Sequence, residues 1–336
     1  MTQKIIAKYP SNIALVKYWG KYGNQMPCNA SLSMTLSKAY TEIILQCTPK
    51  TTSKIELDYF FEGQPKENFK ERIIKYASQQ KEFTTLLHNF SLRIDSTNSF
   101  PHSTGIASSA SAFAAIAAAL LKASSQINDV DFTKEASRLA RLGSGSACRS
   151  FYGSYALWGK VENIENSSNE YAIPITDIHT NFHNMKDAIL IVEDSPKKVS
   201  SSVGHALMNN HPYANARFID ANKNCATMIS VLKSGDVENF IAITEREALT
   251  LHAMMMMSKD YYMLMKPETV FIIEQIFNFR SETKLPICFT LDAGPNIHVL
   301  YPEQIEQTVK SFIEQNLQTK LKSVIYDHAG LGGEVN

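Results

Sequence analysis

The stretch Pro101-His102-Ser103-Thr104-Gly105-Ile106-Ala107-Ser108-Ser109-Ala110-Ser111 runs straight into the apolar, helix-forming run 112–121. A helix start leaves about four backbone N–H groups without internal partners and carries a positive partial charge. Small hydroxyl residues around one glycine let a polyphosphate approach that backbone closely. Capping an ordinary helix takes only one or two such residues, whereas five Ser/Thr positions surround this glycine. The stretch therefore reads as a phosphate loop. It follows neither the G-x-x-x-x-G-K-[ST] pattern nor a strand followed by G-x-G-x-x-G.

At 336 residues the chain is comfortable for two domains. Its 33 basic and 33 acidic residues balance, which leaves no global field to hold nucleic acid or an anionic membrane, so any anion must be bound by a local site. The five cysteines are scattered and contain no C-x-x-C; neither a disulfide framework nor a thiolate zinc site is signalled, and a reducing compartment fits. The N-terminus lacks the apolar core of a signal peptide, and no run approaches the roughly eighteen apolar residues of a membrane span. A soluble, cytoplasmic protein without a membrane partner is expected.

Short β-rich runs predict strands at Thr41–Cys47, Lys54–Tyr59 and Ser91–Ser96, with a helix from Asn68 to Gln80 between the last two. A helix from Lys134 to Leu142 stops at Gly143, which opens a second unusual loop, Gly143-Ser144-Gly145-Ser146-Ala147-Cys148-Arg149-Ser150. The polar run 162–170 reads as a hairpin loop and 176–186 as an interdomain connection. The unbroken apolar run 188–192 predicts a buried strand. Helices are expected over 213–233, 237–257 and 269–282, then a strand that stops at Asp292-Ala293-Gly294-Pro295. The mixture predicts α+β layering.

Three further segments suit anionic chemistry. Ser11 to Lys21 ends in Lys17, Tyr18 and Lys21, two ammonium groups beside a phenol. Arg149 offers a planar fork for a carboxylate or phosphate. Asp292 stands at a predicted strand tip, where a positioned base is useful. Taken singly, each has an ordinary structural explanation: snorkelling lysines at a strand end, or a turn-forming aspartate.

Together these segments resemble the diphosphomevalonate decarboxylase family of the GHMP kinase superfamily. The resemblance is carried in family order by Asn12-Ile13-Ala14-Leu15-Val16-Lys17-Tyr18-Trp19-Gly20-Lys21, Asn29-Ala30-Ser31-Leu32-Ser33-Met34-Thr35-Leu36, the 100–111 loop, Arg141 to Ser150, and Leu291-Asp292-Ala293-Gly294-Pro295-Asn296. The chain departs from the family at Phe100-Pro101-His102-Ser103-Thr104-Gly105-Ile106, where the usual form is Phe-Pro-Thr-Ala-Ala-Gly-Leu. It departs again at Asn29-Ala30-Ser31, where Asn-Ser-Ser is usual. Neither touches Lys17, Arg149 or Asp292.

The resemblance implies a two-domain GHMP kinase fold with mixed and antiparallel sheets packed against helices: residues 1–184 an ATP-binding domain, residues 185–336 a ferredoxin-like domain carrying Asp292. It implies ATP-dependent decarboxylation of mevalonate 5-diphosphate to isopentenyl diphosphate in isoprenoid biosynthesis, by a homodimer using ATP and Mg²⁺, with magnesium ligands that the sequence leaves open. Asp292 would accept the hydroxyl proton, Lys17 would keep it ionised, and Arg149 would grip the substrate carboxylate. Tyr18, Lys21 and Ser146 would hold the substrate diphosphate. Ser103, Thr104, Gly105, Ala107, Ser108 and Ser109, with Ser200 and Ser201, would hold the nucleotide phosphates. A kinase that phosphorylates a mevalonate-like hydroxyl and stops there is the enzymatic alternative, and a catalytically silent GHMP-fold binding protein the other.

Two patterns read as ordinary structure. Met254 to Met257 predicts a buried or subunit-facing helix, and His179 and His183, lacking the Glu of H-E-x-x-H, predict surface histidines. The 330–333 run, Gly330-Leu331-Gly332-Gly333, reads more economically as a flexible tail than as a segment packed near the active site.

Overall fold

The computed structural model describes residues 2–100, 106–124, 129–195 and 201–336, with backbone alone at 129–131 and 201–202. Among them, eight strands form the larger sheet. The strands Gln3–Val16 and Ser31–Pro49 run antiparallel at its centre. The predicted strand Thr41–Cys47 is only the second half of the latter. Its first half escapes a hydrophobicity reading because Ser31, Ser33 and Thr35 occupy alternate positions, and all three are buried. Phe90–Asn98 extends the sheet antiparallel to Ser31–Pro49, and Leu57–Phe61 pairs parallel to Phe90–Asn98. Tyr155–Trp158 joins the start of Ser31–Pro49 and pairs antiparallel with Ala172–Pro174, so 162–170 is the expected hairpin loop.

The helix Ser108–Ser124 packs against this sheet and is buried on every side from Ala110 to Leu121. That explains its uniform apolar character: a helix without a polar face has no side for water. Glu67–Ser78 and Asp129–Gly143 complete the layer.

A second sheet has four antiparallel strands in the order Cys288–Thr290, Ile297–Tyr301, Lys186–Ile191, Ser323–His328. Helices Ala214–Ser234, Val237–Met256 and Pro267–Thr283 accompany it, each within three residues of expectation. One apolar cluster spans both sheets, joining Ile13, Leu15 and Leu32 to Ile189 and Ile191 through Ala221, Met228 and Ile243. The α+β layering is therefore as expected, and the shared core fixes the end of Gln3–Val16 against the second sheet's helices. The methionine run divides, with Met254 and Met255 buried and Met256 and Met257 exposed. His179 and His183 are exposed, and all five cysteines are free.

Two expectations are corrected. Residues 330–333 are no loose tail. The Gly330 N–H donates to the Thr35 carbonyl at 2.8 Å, the Ser154 N–H to the Gly330 carbonyl at 2.8 Å, and the Gly333 N–H to the Ser150 carbonyl at 3.3 Å. Glu334–Val335 then pairs with Ala7 and Lys8. Glycine is needed for this close passage, since a Cβ on Gly333 would lie 2.0 Å from the Tyr9 ring. The second unusual loop is in fact a 3-10 helix from Gly145 to Phe151.

Candidate active site

Lys17 follows Gln3–Val16 immediately, beyond an irregularity between Ala14 and Val16 that turns the chain end. It is 1% exposed. Its Nζ donates to the Ala14 carbonyl at 2.7 Å and to Asp292 Oδ1 at 3.1 Å. Burial pushes the Lys17 pKa down and the Asp292 carboxylate opposes that shift. Asp292 stands two residues past Cys288–Thr290, with its side chain 30% exposed.

The Lys17 main chain is held equally firmly. Its N–H donates to Glu247 Oε2 at 2.9 Å, and its carbonyl accepts from Asn29 Nδ2 at 2.9 Å and Arg217 Nη2 at 3.3 Å. Arg217 and Glu247 come from Ala214–Ser234 and Val237–Met256 and form a buried two-pronged pair at 2.6 and 3.1 Å. Asn224 Nδ2 adds a bond to Glu247 Oε1 at 2.5 Å. A charge buried this completely is tolerable only when paired.

Arg149 sits in the 3-10 helix and is 2% exposed. Its Nε donates to Ser33 Oγ at 3.0 Å and Asn12 Oδ1 at 3.2 Å, Nη2 to Asn12 Oδ1 at 3.2 Å, and Nη1 to Ser31 Oγ. The buried serines that broke the apolar pattern of Ser31–Pro49 are thus the acceptors for this guanidinium. Of its five N–H groups, these bonds leave one on each Nη nitrogen, the arrangement for a two-pronged grip on an anion.

Lys17, Arg149 and Asp292 line one cleft of about 280 Å³. Its other end is built from Tyr18, Trp19, Lys21, Arg72 and His205, with Ser109, Ser144 and Ser146. The Tyr18 hydroxyl is buried with no partner among the described residues, and burial raises its pKa so that it stays a neutral donor. Its ring meets Trp158 edge-on at 4.7 Å. Only a glycine fits at position 145, where a Cβ would stand 2.9 Å from the Tyr18 hydroxyl and 2.8 Å from Trp158. Lys21 Nζ donates to Gln25 Oε1 at 2.9 Å. Its pKa is pushed down by burial and then by Arg72. Arg72 lies over the Phe113 ring at 4.4 Å and donates to the Gly143 carbonyl at 2.9 Å. His205 Nδ1 accepts the Gly20 N–H at 3.0 Å, and burial followed by the Lys21 charge pushes its pKa down to about 3.

A wider groove of about 940 Å³ adjoins the cleft and shares Ser109 and Arg72 with it. Ser108, Ala112, Phe61 and Phe69 also line it, so it opens at the start of Ser108–Ser124. Ala107, at φ 32°, turns the chain into that helix. A triphosphate fits these hydroxyl and N–H groups. No cluster of three or more His, Cys, Asp or Glu suited to a metal exists among the described residues. Magnesium usually binds through phosphate oxygens and keeps much of its water.

Of the residues singled out in the sequence, Lys17, Tyr18, Lys21, Ala107, Ser109, Ser146, Arg149 and Asp292 line the cleft, and Ser108 lines the groove. Ser103, Thr104, Gly105 and Ser200, like His102, lie outside the described residues, as does the Ser201 side chain. Asn12 stood in a quoted motif without a role and supports Arg149. Arg72 and His205 have no sequence signal: Arg72 is one of several charged residues on Glu67–Ser78, and nothing in the short helix Ser201–Ala206 sets His205 apart.

Residues 9–170 match the model of the diphosphomevalonate decarboxylase-like N-terminal domain, and residues 188–330 that of the mevalonate 5-diphosphate decarboxylase C-terminal domain. Diphosphomevalonate decarboxylase of Saccharomyces cerevisiae is 31% identical over 90% of this chain and 79% of its own length. The crystal structure of mevalonate diphosphate decarboxylase from Staphylococcus aureus superposes with a TM-score of 0.86 at 29% identity, covering 100% of this chain and 98% of that one. MDDEF in complex with MVAPP, AMPPCP and magnesium superposes with a TM-score of 0.84 at 26% identity, over 100% of this chain and 99% of that one. With both models matched in order, the chain belongs to the diphosphomevalonate decarboxylase family.

Proposed function

We propose that the protein uses ATP to convert mevalonate 5-diphosphate into isopentenyl diphosphate, releasing ADP, phosphate and carbon dioxide. The observation that carries this reading is the Lys17–Asp292 pair, 3.1 Å apart, in one cleft with the Arg149 guanidinium. Asp292 takes the proton of the substrate's tertiary hydroxyl, and the Lys17 ammonium favours its ionised form. Arg149 holds the substrate carboxylate through its remaining N–H groups and so orients the carbon–carbon bond that breaks. As phosphate leaves the tertiary carbon it takes that proton from Asp292, and the carboxylate so restored stabilises the positive charge that develops on the carbon.

Tyr18, Lys21 and Ser146 bind the substrate diphosphate, with Arg72 added by its place in the cleft. Ala107, Ser108 and Ser109, together with Ser103, Thr104, Gly105, Ser200 and Ser201 by family match, bind the nucleotide phosphates. Magnesium, when bound, neutralises phosphate charge. The AMPPCP, MVAPP and magnesium of the related complex support this allocation. We read residues 1–184 and 185–336 as the two domains, a division supported by the two matched models, with Glu334–Val335 returning to the first sheet. The reading extends to a cytoplasmic homodimer without nucleic-acid or membrane partners; the balanced charge supports the last point, and no helix among the described residues is long and apolar enough to cross a membrane.

The test is an assay of purified protein with ATP, magnesium and mevalonate 5-diphosphate that follows ADP and carbon dioxide together. Equal release is expected. ADP alone would mean a kinase that keeps its phosphorylated product or an uncoupled ATPase, and neither product would mean a binding protein or a different substrate.

A further inference from the structure

His205 lies in the short helix Ser201–Ala206, far in sequence from every other residue of the cleft's outer end. Its ring is packed between Tyr18, at 4.3 Å, and Trp19, at 4.7 Å. Because Nδ1 accepts the Gly20 N–H, a neutral ring carries its proton on Nε2. His205 is 7% exposed, and that exposure faces the cleft it lines. With Nδ1 engaged, what the ring offers a ligand is the Nε2–H edge. Lys21 is close enough for its charge to act on the imidazole. An ammonium, a phenol hydroxyl without a partner among the described residues and an imidazole N–H thus belong to residues that line the same cleft, and all three are donors. Such a set suits a polyanion.

We propose that His205 is a substrate-contacting residue whose Nε2–H donates to the diphosphate of mevalonate 5-diphosphate beside Lys21 and Tyr18. This rests on the functional reading above. It assigns the imidazole a specificity role: a site built around such a donor penalises a ligand that lacks the acceptor, because the buried N–H is then left unmade. Mevalonate without the diphosphate is therefore discriminated against partly through this side chain.

Two substitutions separate contact from packing. Asn at position 205 reproduces an acceptor where Nδ1 stands, preserving the Gly20 bond, and removes the Nε2 donor. Gln places an amide N–H near the Nε2 position and removes the Nδ1 acceptor. Both lose the ring, so their difference reads the donor. In steady-state assays and direct binding on the full-length protein, His205→Asn is expected to raise the KM and Kd for mevalonate 5-diphosphate about tenfold, a typical cost of one hydrogen bond to a charged group. The KM for ATP should stay within twofold, and His205→Gln should recover part of the loss. The reverse order, with Gln worse than Asn, or equal losses for ATP and mevalonate 5-diphosphate, would show that the ring serves only to hold Gly20 and overturn the assignment. Wild-type protein that releases no carbon dioxide would overturn the functional reading itself. Normal wild-type turnover with an unaltered KM in His205→Asn would overturn the role of His205 alone.

Discussion

The two ends of the cleft are built on opposite plans. At the inner end Lys17 and Arg149 are held by neighbours on almost every side, Lys17 through both its ammonium and its main chain and Arg149 through Asn12, Ser31 and Ser33, and Asp292 is paired with Lys17. At the outer end Tyr18 has no hydrogen-bond partner among the described residues, and Lys21 has a single neutral one in Gln25. Charges that must meet a changing charge distribution gain from being fixed beforehand, because no reorganisation is then needed as the reaction proceeds. Donors that serve to dock an anion gain from being left spare, because the ligand completes them. The contrast predicts that damage at the inner end appears in turnover and folding, and damage at the outer end in affinity.

The strongest way to break this contrast is Asp292→Asn. Turnover should fall by about 10²–10⁴-fold, the usual contribution of a positioned proton acceptor, while the affinities for ATP and mevalonate 5-diphosphate, measured by calorimetry, stay within a few-fold. A variant that loses affinity and keeps turnover would reverse the roles of the two ends. Next comes Glu247→Ala, which strands Arg217 and releases the Lys17 N–H. Loss of one partner of a buried pair costs about 3–5 kcal/mol, to be read by denaturant unfolding; a loss below about 1 kcal/mol would show that the Arg217–Glu247 pair contributes little to holding Lys17.

The smallest effect is a pH dependence at the outer end. The His205 imidazole, at 6.5 in the unfolded chain, is pushed down to about 3 in the folded one. Between those values the unfolded state binds more protons, so stability falls as pH falls. From pH 7 to pH 5 the loss from this group is about 2 kcal/mol, and His205→Asn should flatten that part of the stability profile. An unchanged slope in the variant would assign the acid sensitivity to other groups.

How far the sequence alone reaches depends on whether a residue's neighbours advertise it. The Ser108–Ser124 helix is legible because burial on all sides writes itself as an unbroken apolar run. Lys17 and Asp292 are 275 residues apart, and no spacing rule joins them; the resemblance of whole motifs does. Ser31, Ser33 and Asn12 look like loop or strand-edge residues until Arg149 is seen to need acceptors inside the fold. Arg72 and His205 are set by the crossing of distant elements, so nothing local marks them. The ordered 330–333 run was illegible for a different reason. Its glycines are selected for the space they leave against Tyr9 and Phe151, and absent side chains carry the same signature in a flexible segment as in a tightly threaded one.

The return of Glu334–Val335 to Ala7 and Lys8 bears on how the molecule is born. The strand Gln3–Val16 would be an edge of the larger sheet without it. A ribosome delivers residues 3–16 hundreds of residues before 334 and 335, so that flank stays uncovered through most of synthesis, and an uncovered strand flank is a template for joining other chains. Lys4 and Lys8 stand along it, and charged residues of this kind are a common means of discouraging such joining until Glu334–Val335 pairs with Ala7 and Lys8.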